Sequence, residues 1–180
     1  MRLAGALLWL MMALSACKND LNEARLVTAR ANVNIEHGTD IEIRYSDHGK
    51  TKIKAFAPSA TRFNAEQPYM EFSKGLKIYF YHENGEVQST MTAEYATAVE
   101  NSSQMTARKN VEVINEKGEK LNTEELIWDE NKKIIYSNSA LKITTADEII
   151  LGNGMEADET FTNYSIHHIT GIVKVKAEVE

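Results

Sequence analysis

The chain has 180 residues, with 26 acidic side chains against 20 Lys plus Arg, one cysteine, two prolines and a net charge of -6. That length is one domain. The acidic balance argues against a nucleic-acid binder, which needs a basic face for phosphates, and one cysteine rules out a disulfide framework and a cysteine-rich zinc site. A composition 43% hydrophobic and 26% charged fits a folded body in water, neither a disordered chain nor a multispan membrane protein.

The N-terminus reads Met1-Arg2, then an uncharged run from Leu3 to Leu14. A membrane-spanning helix needs about 20 apolar residues. The run is shorter, with a basic start and small residues at its end, so residues 1–16 read as a secretory signal. Leu14-Ser15-Ala16-Cys17 resembles the cleavage box of bacterial lipoproteins. That resemblance implies that Cys17 becomes the mature N-terminus and carries acyl chains on its sulfur and amine. The alternative is a plain signal peptide with a chance cysteine. Each buried methylene adds about 0.8 kcal/mol of membrane affinity and one chain holds only marginally, so two or three chains hold firmly. Residues 17–31 then form a polar tether, with room for a short helix, and residues 32–180 form a single domain.

From Val27 onward apolar and polar residues alternate. Val33, Ile35, Ile41, Ile43 and Tyr45 read as strands, Asp47-His48-Gly49 as a turn, and residues 51–56 as the next strand. Both prolines, Pro58 and Pro68, fall between Ala57 and Tyr69, which marks that stretch as a connection or irregular edge. Leu76 to Tyr81 is a strand, Asn84-Gly85 a hairpin turn, and Val87 to Ala98 the returning strand. Residues 104–114, 121–128 and 134–143 follow as strands, separated by turns at Asn101-Ser102-Ser103, Glu116-Lys117-Gly118 and residues 129–132. Short strands with regular turns predict a sandwich, barrel or stacked β-repeat. Thr92 to Val113 and Thr123 to Ile143 match weakly at a period of about 30 residues, one hairpin per unit.

Catalytic motifs are missing: no Gly-x-Ser-x-Gly elbow, phosphate-binding glycine loop or His-Glu-x-x-His helix occurs. His167 and His168 are adjacent, so on a strand they face opposite ways and cannot share a metal. Carboxylates such as Glu124, Glu125, Asp129 and Glu130 alternate with apolar positions or sit in turns, the pattern of a solvated face rather than a buried acid-base pair. Gly152-Asn153-Gly154 lacks a following helix and reads as a bulge or tight bend. The sequence thus predicts no enzyme, no metal and no cofactor.

What remains is an apolar face. Alternation places Ile78, Phe80, Met91, Ala93, Met105, Ala107, Val111, Val113, Leu126, Trp128, Ile135, Leu141 and Ile143 on one inner side. Such a face is either a filled core or an adaptable apolar surface, to which flexible Met is suited. At the other end of the chain, residues 170–176 alternate as a terminal strand. Ile172, Val173 and Val175 leave β-propensity for a partner, and Lys174 and Lys176 discourage promiscuous pairing.

The ordered motifs resemble a known family. They are Gly75-Leu76-Lys77-Ile78-Tyr79-Phe80-Tyr81, Asn84-Gly85, Met91-Thr92-Ala93-Glu94-Tyr95-Ala96, Leu121-Asn122-Thr123-Glu124-Glu125-Leu126 with Trp128-Asp129, Gly152-x-Gly154, Tyr164-x-Ile166 and Gly171. The set, over residues 41–175, resembles the LptC family of lipopolysaccharide-export proteins, in the OstA-like superfamily. The resemblance implies an all-β fold, an open twisted β-jellyroll or taco of antiparallel strands. The inner face would then bind the acyl chains of lipopolysaccharide. The expected partners are an inner-membrane ABC-type export complex, which supplies the lipid, and a soluble periplasmic bridge protein of the same fold, which receives it across the C-terminal edge. Many members hold to the membrane by an N-terminal helix, whereas this chain offers Cys17. It is therefore expected in the periplasm as a membrane-anchored lipoprotein, on the inner membrane rather than the outer. The rival readings are a structural or adaptor envelope lipoprotein with a filled core, and an envelope enzyme with carboxylates on the sheet.

Overall fold

A computed structural model describes residues 35–174. The signal segment, Cys17, the tether, Val33 and Val175 lie outside the described residues. Among the described residues there is no helix. They form one antiparallel sheet of eleven strands: β1 (Ile35–Asp47), β2 (Lys50–Phe63), β3 (Tyr69–Phe72), β4 (Leu76–Tyr81), β5 (Val87–Ala93), β6 (Tyr95–Val99), β7 (Gln104–Asn115), β8 (Lys120–Asp129), β9 (Ile134–Thr144), β10 (Glu148–Asp158) and β11 (Tyr164–Lys174). The fold is thus the expected all-β class.

The sheet is creased across its strands. Strand β2 pairs with β4 through residues 53–56 and with β3 through residues 61–63. Strand β7 pairs with β5 through residues 112–115 and with β6 through residues 104–108. Between these halves the ladder is broken. The register shifts between Arg108 and Val111, between Thr123 and Ile127 and between Asn153 and Met155. Lys109 and Asn110 both take positive φ, 63° and 51°. Bulges bend a strand and sharpen its twist, and here they line up, so each long strand turns a corner at the same level. The result is two facing walls. The first contains β4, β5 and the ends of β7 and β8 around residues 111–123. The second contains β3, β6 and the opposite ends of those strands.

The turn glycines act as the sequence suggests. Gly85 sits at φ 89° in the β4–β5 hairpin, and Gly154 at φ 76° marks the β10 bulge. At Gly152 any Cβ would lie 2.6 Å from Ile166 Cγ2 and 3.0 Å from the His168 carbonyl, so the β10–β11 approach there requires glycine.

Two expectations are corrected. The stretch around Pro58 is strand, not connection: β2 runs through it to Phe63. Pro58 is tolerated because it falls where β2 is between its β4 and β3 partners, opposite Asp40, which the β1 register skips. The true connection is the loop before β3, a strand of four residues too short to show alternation. The strand expected from Val87 to Ala98 is two, β5 and β6, divided at Glu94, whose N–H bonds the Lys109 carbonyl 3.0 Å away at the crease.

Candidate functional site

Period-two alternation gathers the expected inner face. Of its residues, Ile78, Phe80, Met91, Ala93, Met105, Ala107, Val111, Val113, Leu126, Ile135, Leu141 and Ile143 are buried in one cluster, and half-buried Trp128 packs against it. The weak repeat has a structural counterpart: Met105 and Ile135 are equivalent on the second wall, Val113 and Ile143 on the first.

Among the described residues, the interior opens toward β1. Toward β1 an apolar cleft of about 280 Å³ lies between the walls. Ile43, Tyr45, Ile53 and Ala55 line its first wall, Met105 and Trp128 its second, and Phe72, Leu76 and Ile78 its depth. A charged cleft of about 370 Å³ adjoins it, with Lys52, Glu83, Glu130, Lys133 and Glu159 around Phe80. Tyr45, Ile53, Trp128 and Glu130 line both. Phe80 and Trp128 meet edge-on across the fold, centroids 6.1 Å apart. At the cleft mouth Arg62 forks onto Glu100, joining β2 to β6, and that hydrogen bond holds the Glu100 carboxyl below its ordinary range.

The far side is sealed. Val111, Leu121, Leu126, Ile143 and Met155 are almost wholly buried. Phe161, from the β10–β11 turn, completes the seal: it is fully buried, takes φ 57° and stacks on Tyr164 at 4.9 Å. The turn is strapped down. The Asn115 side-chain amide donates to the Phe161 carbonyl at 3.0 Å, and the Gln88 amide to the Thr162 hydroxyl at 3.4 Å. Asp158 accepts from the Thr160, Thr162 and Asn163 N–H groups. Burial alone raises the Asp158 carboxyl, but these hydrogen bonds outweigh it and hold the group below its ordinary value.

Asp129, read as a solvated turn carboxylate, is instead buried. It accepts the Gln104 amide at 3.0 Å and the Lys132 N–H at 3.1 Å, closing the β8–β9 turn. His167 and His168 are exposed, and no cluster of three potential metal ligands occurs among the described residues. Two buried side-chain atoms among the described residues have no hydrogen-bond partner, Ser89 Oγ and Trp128 Nε1. An unmet buried donor costs about 1–3 kcal/mol.

At the C-terminal edge β11 pairs, among the described residues, with β10 alone. Ile172 and Val173 are exposed there, as is Ile169. Strand β1, which among the described residues pairs only with β2, presents the other edge, with Ile35, Ile43 and Tyr45 exposed.

Comparison with protein families matches residues 3–168 to the family described as lipopolysaccharide-assembly, LptC-related. The chain belongs to the LptC-related family. Comparison with curated proteins returns no match. Membership in the LptC-related family implies a part in lipopolysaccharide transport and a place in the periplasmic envelope. In this LptC-related fold the alternation argument missed the β1 side of the cleft, Ile43 and Tyr45, although it had read both as strand residues. It also missed Phe161. The available signal was an aromatic residue inside the otherwise polar turn Glu159-Thr160-Phe161-Thr162-Asn163.

Proposed function

We propose that the protein carries the acyl chains of lipopolysaccharide between its walls and passes them along a periplasmic bridge, held at the membrane by an acylated Cys17. The observation that carries this reading is the apolar cleft between Tyr45 and Trp128, in a chain whose family works in lipopolysaccharide assembly. Exposed acyl chains cost about 0.8 kcal/mol per methylene in water, so they need an apolar host to cross an aqueous gap. The free edges at β1 and β11 suit strand addition by neighbouring sheets. An inner-membrane ABC-type complex stands upstream in this reading, and a soluble bridge protein of the same fold downstream. Carriage makes and breaks no covalent bond, so it asks for no catalytic group.

The sealed half of the interior, where Val111, Leu121 and Ile143 are wholly buried, favours a second reading: an adaptor with a filled core and no ligand. Photocrosslinking separates the two. Probes at Met105 and Trp128 capture lipopolysaccharide if the cleft carries lipid, whereas a probe at exposed Lys117 does not. Capture at none of the three positions favours the adaptor, and capture at Lys117 but at neither cleft position overturns the cleft as the lipid site.

A further inference from the structure

Two rows of side chains cross the inner face of the sheet at successive levels. Strand register sets Ile43, Ala55 and Ile78 side by side, and Tyr45, Ile53 and Phe80 side by side at the next level. Every member of the first row lines the apolar cleft. In the second row Tyr45 and Ile53 line both clefts, and Phe80 lines the charged one. Trp128 comes from the opposite wall, lines both clefts as well, and meets Phe80 edge-on at 6.1 Å. The indole and the second row therefore form a partition between the two spaces.

Hydrocarbon fares differently on the two sides of that partition. Beside Ala55 and Ile78 each methylene leaves water for apolar surface, and affinity grows with chain length. Past Trp128 it meets Lys52 and Glu83, 3.4 Å apart, with Glu130, Lys133 and Glu159 around them. A methylene there strips water from charged groups, which costs more than its own burial returns. The apolar side is also small. Sites for drug-sized ligands run about 300–1,000 Å³, and a cleft of about 280 Å³ has room for one hydrocarbon chain.

We propose that Trp128, facing Tyr45 and Ile53, is the specificity-determining residue of the apolar cleft: it admits a single chain and stops it short of the charged cleft. Affinity then rises with chain length only to a ceiling. The assignment rests on the carrier reading and adds to it the number of chains held and a limit on their length.

Alkyl maltosides from octyl to tetradecyl share one uncharged head and differ only in the chain. Calorimetric titration of the full-length protein with each, below the concentration at which micelles form, reads the ceiling. Wild-type affinity should rise about fourfold per methylene and then level, with one maltoside bound per protein. Trp128→Ala vacates apolar room against Phe80, so the rise should continue past the wild-type ceiling. Trp128→Leu keeps more of the filling and should raise the ceiling by less. Ala55→Leu fills the apolar side and should lower it. Circular dichroism identifies the folded variants. A ceiling that does not move in the folded variants overturns the partition and leaves the carrier reading standing, as does a wild-type affinity that climbs through tetradecyl without levelling. Failure of every maltoside to bind the wild-type protein overturns the two together.

Discussion

Asn115 donates its side-chain amide to the backbone carbonyl of Phe161 across 3.0 Å, although the two residues belong to opposite walls. The bond ties the β7–β8 turn to the β10–β11 turn and keeps the phenyl ring inside. Phe161→Ala should cost about 3–5 kcal/mol in urea unfolding, as for other buried aromatics. Asn115→Ala should cost about 1–3 kcal/mol, since it leaves a buried carbonyl unmet. A loss below about 1 kcal/mol for Phe161→Ala means that the ring seals nothing.

Acid should loosen the same strap. The Asp158 carboxyl lies below its ordinary value in the folded chain. A group of that kind contributes stability above its unfolded pKa, about 3.9, and loses it as pH falls through the folded value. The unfolding midpoint should therefore fall as pH drops from 5 toward 2. Asp158→Asn should be less stable at pH 7 and show a shallower decline. Because Glu83 and Glu100 are also held low, the slope is reduced and not removed. An unchanged slope in Asp158→Asn rules the strap out as an acid-sensitive element.

Neighbouring residues of an antiparallel strand aim their N–H groups alternately at the partner and away from it. Ile172 and Val173 sit opposite Ile150 and Ile149, so one of them sends its N–H to β10 and the other to the free edge. Proline at the outward position removes a donor from the edge and leaves the internal ladder whole. If β11 receives the next jellyroll, that variant keeps its circular dichroism spectrum and loses capture of the soluble sister protein. A folded outward variant that still captures it sinks the docking idea.

For the anchor, Cys17→Ser should abolish acyl mass and leave the protein unprocessed or merely soluble. Intact-mass analysis of membrane-extracted wild-type protein checks the premise. An unmodified Cys17 there refutes lipidation.

What could be read in advance, and what could not, divides along physical lines. Strands β4 and β7 to β9 were legible because one face is buried, and period two records that directly. The inner-face residues followed for the same reason. The crease was not legible. Its cause is a change of partner along one strand, and nothing local at Glu94 or Pro58 announces that β4 is to be replaced by β3. Phe161 was hidden because a turn residue obeys no period. The β1 side of the cleft was hidden because Ile43 and Tyr45 stay exposed and line the cleft only through what β8 places opposite, such as Trp128.

The two free edges have a consequence for stoichiometry. β1 and β11 differ, so joining the edge of one sheet to the opposite edge of the next is heterologous, and such contacts close into a ring only by a particular rotation. A row built this way has a direction and no intrinsic end. Its length, and the choice of which body stands first and last, must then come from outside the repeat: from a dissimilar edge on a terminal partner, or from a membrane at either limit.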